Sequence, residues 1–151
     1  MAKSEIINQT RVIFPSYSQN EAFSRSLASS FLSQLNPTYD EVSDVKCAVS
    51  EAVTNAIVHA YRGCIGEITL TMKLSADRVF TAEIKDKGCG IENVEEAMRP
   101  LFTTDAENER SGMGFTIIEN FMDKLRVVSS PGKGTRVVMS KKLSALPIAK
   151  G

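Results

Sequence analysis

The chain has 151 residues, 42% hydrophobic and 24% charged, the make-up of one ordinary globular domain that buries roughly two-thirds of its unfolded surface without a disulfide or metal staple. Eighteen Lys+Arg balance eighteen Asp+Glu, whereas a protein that neutralises a run of phosphates carries a basic excess, so nucleic acid is not expected as a direct partner. Cys47, Cys64 and Cys89 are odd in number and unclustered, as reduced thiols are, and no apolar signal core or stretch of roughly 18 apolar residues occurs; a soluble, cytoplasmic protein without membrane contact is expected.

Ile6 to Phe14 is rich in β-branched residues and ends at Pro15, which predicts a strand. Ser18-Gln19-Asn20-Glu21 has the spacing of a capping box, with the Ser18 hydroxyl accepting an early N–H and Glu21 reaching back. The helix that follows carries an apolar stripe of Phe23, Leu27, Phe31 and Leu35, with Ala28 and Leu32 beside it, and stops at Asn36-Pro37. Thr38-Tyr39-Asp40-Glu41 is a second capping box. From it Val42, Val45, Val49, Ala52, Val53, Ala56, Ile57 and Ala60 keep a helical period to about Tyr61.

Glu67 to Leu74 alternates apolar and polar residues, Ala76-Asp77 turns the chain, and Arg78 to Lys85 returns it as a hairpin. Residues 86 to 113 are irregular, with at most a short helix near Val94 to Arg99, and so long an irregular stretch inside a compact domain is usually functional. A helix from about Gly114 to Met122 precedes two strands, Leu125 to Ser129 and Thr135 to Leu143, joined by Pro131-Gly132-Lys133-Gly134. The class is α+β, a mainly antiparallel sheet with helices on one face, in a single domain over 1–151 with a tail that frays after about Leu143.

Four constellations carry candidate chemistry. Glu51, Asn55 and His59 stand at i, i+4 and i+8, each step about 6 Å along the helix axis, although polar stripes are common on helices. Asp86-Lys87-Gly88-Cys89-Gly90 follows a strand; an Asp there can accept a hydrogen bond from an amine, and the glycines admit close backbone approach, as they would in an ordinary turn. Arg110-Ser111-Gly112-Met113-Gly114-Phe115 opens a helix, where free N–H groups favour phosphate and Arg110 can pair with one. Gly132-Lys133-Gly134-Thr135 reads by itself as a turn. No Walker sequence and no G-x-S-x-G elbow occurs.

Taken in order, Glu51-x-x-x-Asn55-Ala56, Asp86-x-Gly88-x-Gly90, Gly112-x-Gly114 and Gly134-Thr135 resemble the boxes of the gyrase, Hsp90, histidine-kinase and MutL ATPase superfamily. Ser50 to Ile57, Pro100-Leu101-Phe102-Thr103-Thr104 and Glu109 to Ile117 are similar to the anti-sigma F factors of sporulating bacteria, a family of serine-protein kinases, and the likeness runs from about Glu5 to Leu143. The resemblance implies a two-layer α/β sandwich, the Bergerat ATP-binding fold, with ATP or ADP held between helices and sheet under a lid. Asn55 would coordinate Mg²⁺ through its amide oxygen, and Glu51 would act as general base toward a substrate serine. Asp86 would accept the adenine amino group with Thr135 in support, while Gly88 and Gly90 would close the backbone around the base. Thr104 falls to the nucleotide site, and Arg110 with Ser111, Gly112, Met113, Gly114 and Phe115 would form the lid, Arg110 sensing the γ-phosphate.

The same resemblance implies partner switching. An ATP-bound homodimer holds a sigma factor, sigma F, until an anti-anti-sigma protein competes and is phosphorylated on serine. Asn20-Glu21-x-Phe23-x-Arg25 matches the family, which places Arg25 on the partner-docking face; Glu21 and Arg25, one turn apart, also suit a plain surface ion pair. Three alternatives stay open: a general-stress anti-sigma kinase, a sensor-kinase ATPase domain whose phosphoacceptor histidine would lie elsewhere, and a nucleotide-gated sequestering module without catalysis.

Overall fold

The computed structural model describes residues 4–61, 63–90 and 109–146, with 109–114 described in backbone only. Five strands form one fully antiparallel sheet: β1 (Ile6–Pro15), β2 (Glu67–Ser75), β3 (Val79–Asp86), β4 (Lys124–Ser130) and β5 (Gly134–Lys142), in the order β1-β2-β3-β5-β4. Alternation decides its faces. Ile68, Leu70, Met72 and Leu74 of β2, Phe80, Ala82 and Ile84 of β3, and Val137 and Met139 of β5 are buried, while the residues between them face outward. Against the buried face lie α1 (Gln19–Leu32), α2 (Tyr39–Asn55) and α3 (Glu109–Phe121). The fold is the expected α+β sandwich.

The second capping box forms: the Glu41 N–H donates to Thr38 Oγ1 at 3.1 Å and the Thr38 N–H donates to Glu41 Oε1 at 2.8 Å. The first does not. Ser18 takes helical angles, φ −59° and ψ −29°, rather than the extended geometry a capping hydroxyl needs, and it makes no side-chain cap bond. Glu21 instead meets Ser50 and Arg25.

The buried line of α1 also differs from the expected stripe. Ser24, Ala28 and Leu32 are fully buried and Leu35 follows in a 3₁₀ turn, whereas Phe23 is 45% exposed and rests edge-on against Phe14, ring centroids 6.2 Å apart. Small Ser24 and Ala28 lie with Leu32 on the fully buried side of α1, so the helix rotation follows them rather than the aromatic residues.

α2 is α-helical only to Asn55. Residues Ala56–Ala60 widen into a π turn before Tyr61, instead of continuing the α period. α3 is described from Glu109, five residues before the Gly114 expected from the pattern; Glu109, Arg110 and Met113 are good helix formers, and the helix runs through Gly112 and Gly114. The chain stays anchored past Leu143. The Leu143 N–H reaches the Arg78 carbonyl, the Ser144 N–H donates to Glu41 Oε2 at 2.8 Å, and Arg78 Nε reaches the Ser144 carbonyl. The expected short helix at 94–99 lies outside the described residues.

Candidate functional site

The last turn of α2 and the adjoining ends of β3 and β5 meet at one edge of the sandwich. Glu51 and Asn55 are half-buried there, one helical turn apart. Asn55 Nδ2 and Thr116 Oγ1 are buried with no hydrogen-bond partner among the described residues, and a buried polar group without a protein partner leaves a place for a water or a ligand. His59 lies in the π turn and is half-buried; its backbone carbonyl accepts from the Cys89 thiol at 3.2 Å.

Asp86 ends β3 with 6% of its surface exposed. Its Oδ1 accepts the Gly88 N–H at 2.9 Å and the Thr135 N–H at 3.2 Å. Antiparallel pairing of β3 with β5 sets Asp86 directly opposite Thr135. Burial raises the Asp86 carboxyl above the usual carboxylate range, against the lowering effect of those two N–H donors. Its other oxygen accepts nothing among the described residues and remains for an amine. Thr135 Oγ1 shares a 2.7 Å hydrogen bond with Ser129 Oγ, which fixes the side chain beside Asp86.

The two glycines of this loop are required by neighbouring backbone. A Cβ on Gly88 would stand 2.2 Å from the Ala60 carbonyl oxygen, and one on Gly90, where φ is +78°, would stand 2.0 Å from that of Ser130. The loop is stitched to both neighbours: the Cys89 N–H donates to the Ala60 carbonyl at 3.0 Å, and the Cys89 carbonyl accepts the Gly132 N–H at 2.7 Å.

The sequence pattern assigns Tyr61 no role. Its hydroxyl donates to the Glu67 carbonyl at 2.6 Å and accepts the Lys87 N–H at 2.7 Å. Burial pushes its phenol above the ordinary value, partly offset by the Lys87 N–H. An aromatic residue just past a helix end and a few residues before a strand is the one signal that points to it.

A groove of about 840 Å³ runs between α1, α2 and α3. Arg25 of α1, Lys46, Ser50 and Glu51 of α2, and Ile117 and Phe121 of α3 line it, so Glu51 and Arg25 open onto one surface. Phe115 is buried at 5% exposure in the core. The backbone of Arg110, Ser111, Gly112, Met113 and Gly114 is helical, while their side chains, and Thr104 altogether, lie outside the described residues.

Residues 15–141 match the histidine kinase-like ATPase domain family. An anti-sigma F factor of Thermoanaerobacter sp. (strain X514) is 52% identical over 137 residues, covering 91% of this chain and 95% of that one. The chain belongs to the anti-sigma F factors. Another anti-sigma F factor, from Bacillus subtilis (strain 168), is 50% identical over 138 residues, covering 91% of this chain and 94% of its own. Among solved structures, the RsbU and RsbW domains of Rv1364c from Mycobacterium tuberculosis align with a TM-score of 0.68 at 18% identity, over 92% of this chain and 33% of theirs, a likeness of fold. As a histidine kinase-like ATPase domain, this anti-sigma F factor is a nucleotide-binding protein. Asn55 Nδ2 and the second carboxylate oxygen of buried Asp86, both without a partner among the described residues, fit such a ligand. No helix among the described residues is long and apolar enough to cross a membrane.

Proposed function

We propose that this chain is an ATP-dependent protein-serine kinase that also sequesters sigma F, acting as a cytoplasmic homodimer in a partner switch. The observation that carries the reading is Glu51 and Asn55 one turn apart at the open end of a buried helix, with the Glu51 side on the same groove as Arg25.

Asp86 takes the adenine amino group on its free carboxylate oxygen, with Thr135 and the Gly88–Gly90 loop holding that carboxylate in place. Asn55 offers a neutral amide oxygen for Mg²⁺, a hard cation that prefers oxygen ligands. Bound MgATP would supply an electrophilic γ-phosphoryl group, with ADP as the leaving group. Glu51, entering from the groove, takes the proton of an incoming serine hydroxyl or orients that hydroxyl for attack. Arg110 pairs with the terminal phosphate in the manner of a charge-assisted contact, distinguishing ATP from ADP, and Ser111 to Gly114 with Thr104 complete the nucleotide enclosure, while Phe115, buried in the core, anchors the helix rather than forming part of the lid. Arg25 contacts the partner, either the sigma factor or the competing anti-anti-sigma protein.

The test is transfer of label from γ-labelled MgATP to a purified anti-anti-sigma protein by the wild type and by Glu51→Gln. Acid-stable label that vanishes with Glu51→Gln, while sigma binding and nucleotide binding persist, supports the reading. Undiminished transfer by the variant removes Glu51 as base; nucleotide and sigma binding without any transfer leave a sequestering module.

A further inference from the structure

We infer that the Tyr61 hydroxyl is a positioning group for nucleotide, locking the Asp86–Gly88 loop to the end of the helix that carries Asn55. The inference rests on the nucleotide reading of this site and adds to it a residue that touches neither base nor phosphate. Asn55 is the last α-helical residue of α2, and Tyr61 stands immediately beyond the π turn that follows it. One oxygen of Tyr61 joins three places in the chain: the end of that turn, the carbonyl of Glu67 at the start of β2, and the N–H of Lys87. Lys87 lies between Asp86 and Gly88, so its amide plane helps fix where Asp86 points.

The surroundings are built around this contact. Tyr61 is 8% exposed. Its ring packs against Gly66, where a Cβ would stand 2.2 Å from ring atom Cε1. Next to it, the Cys89 N–H bonds the Ala60 carbonyl at 3.0 Å and Gly88 presses on the same carbonyl. The helix end and the loop therefore form one unit, with Asn55 on the phosphate side and Asp86 on the base side. Removing the hydroxyl leaves the Lys87 N–H without its acceptor in a half-buried place, while a phenylalanine ring still fills the volume. The packing survives and the spacing between the two halves is released.

The experiment titrates N-methylanthraniloyl-ATP with Mg²⁺ against the wild type, Tyr61→Phe and Gly66→Ala, alongside thermal unfolding and phosphotransfer kinetics. Gly66→Ala reaches the same contact independently, since its methyl group displaces the ring. Both variants should fold, bind the nucleotide about tenfold more weakly and raise KM for ATP in proportion, with kcat at saturating ATP within about twofold of wild type. Unchanged nucleotide affinity in Tyr61→Phe, with or without a lower melting temperature, overturns the inference and leaves Tyr61 a purely structural residue. A wild-type protein that binds no nucleotide overturns the site reading first, and that outcome is distinct from a variant-specific result.

Discussion

Ser50 and Glu21 meet across the contact between α1 and α2, the Ser50 hydroxyl donating to Glu21 Oε1 although 29 residues separate them. The same carboxylate oxygen takes Arg25 Nε at 3.1 Å. One oxygen thus joins the exposed Arg25 to the residue that precedes Glu51, and it explains why Glu21 is unavailable to cap its own helix.

The ion pair itself carries little stability. The Arg25 and Glu21 side chains are 44% and 27% exposed, and an i, i+4 pair so placed is worth at most about 0.5 kcal/mol. Glu21 keeps Ser50 when Arg25 is removed. Arg25→Ala should therefore shift urea unfolding by less than about 0.5 kcal/mol while weakening capture of the sigma factor in a binding assay. A variant that binds the sigma factor as well as wild type would remove Arg25 from the docking face.

Asp86 gives a pH signature. Its carboxyl is raised above 3.8 in the folded protein, so the stability it contributes is fully present below the unfolded value and is lost as pH rises through the folded one. Asp86→Asn keeps an oxygen for the Gly88 and Thr135 N–H groups and carries no charge. The melting temperature of the variant relative to wild type should then climb as pH rises from the ordinary carboxylate range through the raised folded value. It should also lose the stabilisation that MgATP confers, because an amide N–H₂ would face the adenine amino group. Parallel melts with and without MgATP read both effects, and a difference that stays flat with pH would refute the first.

Glycine substitutions divide backbone strain from collision. Gly90 and Gly132 have nearly the same φ, +78° and +75°, but a Cβ on Gly132 meets nothing within 4 Å. Gly132→Ala should cost about 1 kcal/mol, the strain alone. Gly90→Ala adds a clash with the Ser130 backbone, and should cost on the order of 1–3 kcal/mol more. Denaturant midpoints of the two variants test the ordering, and equal losses would deny the close packing of the 86–90 loop on Ser130.

Glu41 holds two things at once, the start of α2 and Ser144. Burial alone would raise its carboxyl, but hydrogen bonds from Thr38 and Ser144 outweigh it and hold the group below 4.5. Its contribution is present above that value and lost as pH falls through the folded pKa. Glu41→Ala should cost about 1 kcal/mol near neutrality, with the loss shrinking in acid; a cost that grows on acidification would contradict the assignment.

Local signals were readable where nothing distant competed with them. Thr38 and Glu41 cap α2 as their spacing suggests, whereas Ser18 and Glu21 share that spelling and fail, since Ser50 and Arg25 claim the carboxylate. Phe23, Leu27 and Phe31 looked like the buried stripe, but helix rotation followed the small residues Ser24 and Ala28, which lie with Leu32 on the fully buried side. The π turn at 56–60 has no compositional mark. Gly112 and Gly114 read as a helix start, although the described helix already includes them. Asp86 and Thr135, 49 residues apart, were placed together only by family likeness; strand pairing brings them face to face, and no local pattern reports register across a sheet. Tyr61 was missed because its work is done by one oxygen between backbone groups.

The place of Asp86 and Thr135 has a last consequence. Both lie on β3 and β5, strands flanked by neighbours on either side, while the groove onto which Arg25 opens belongs to the outer helices. Interior strands are the last parts of a native protein to open. Asp86 and Thr135 are therefore tied to the cooperative core of the sheet, whereas Arg25 stands on a helix surface that can rearrange without it. Change at the helix surface is thereby kept apart from the sheet end where Asp86 and Thr135 pair.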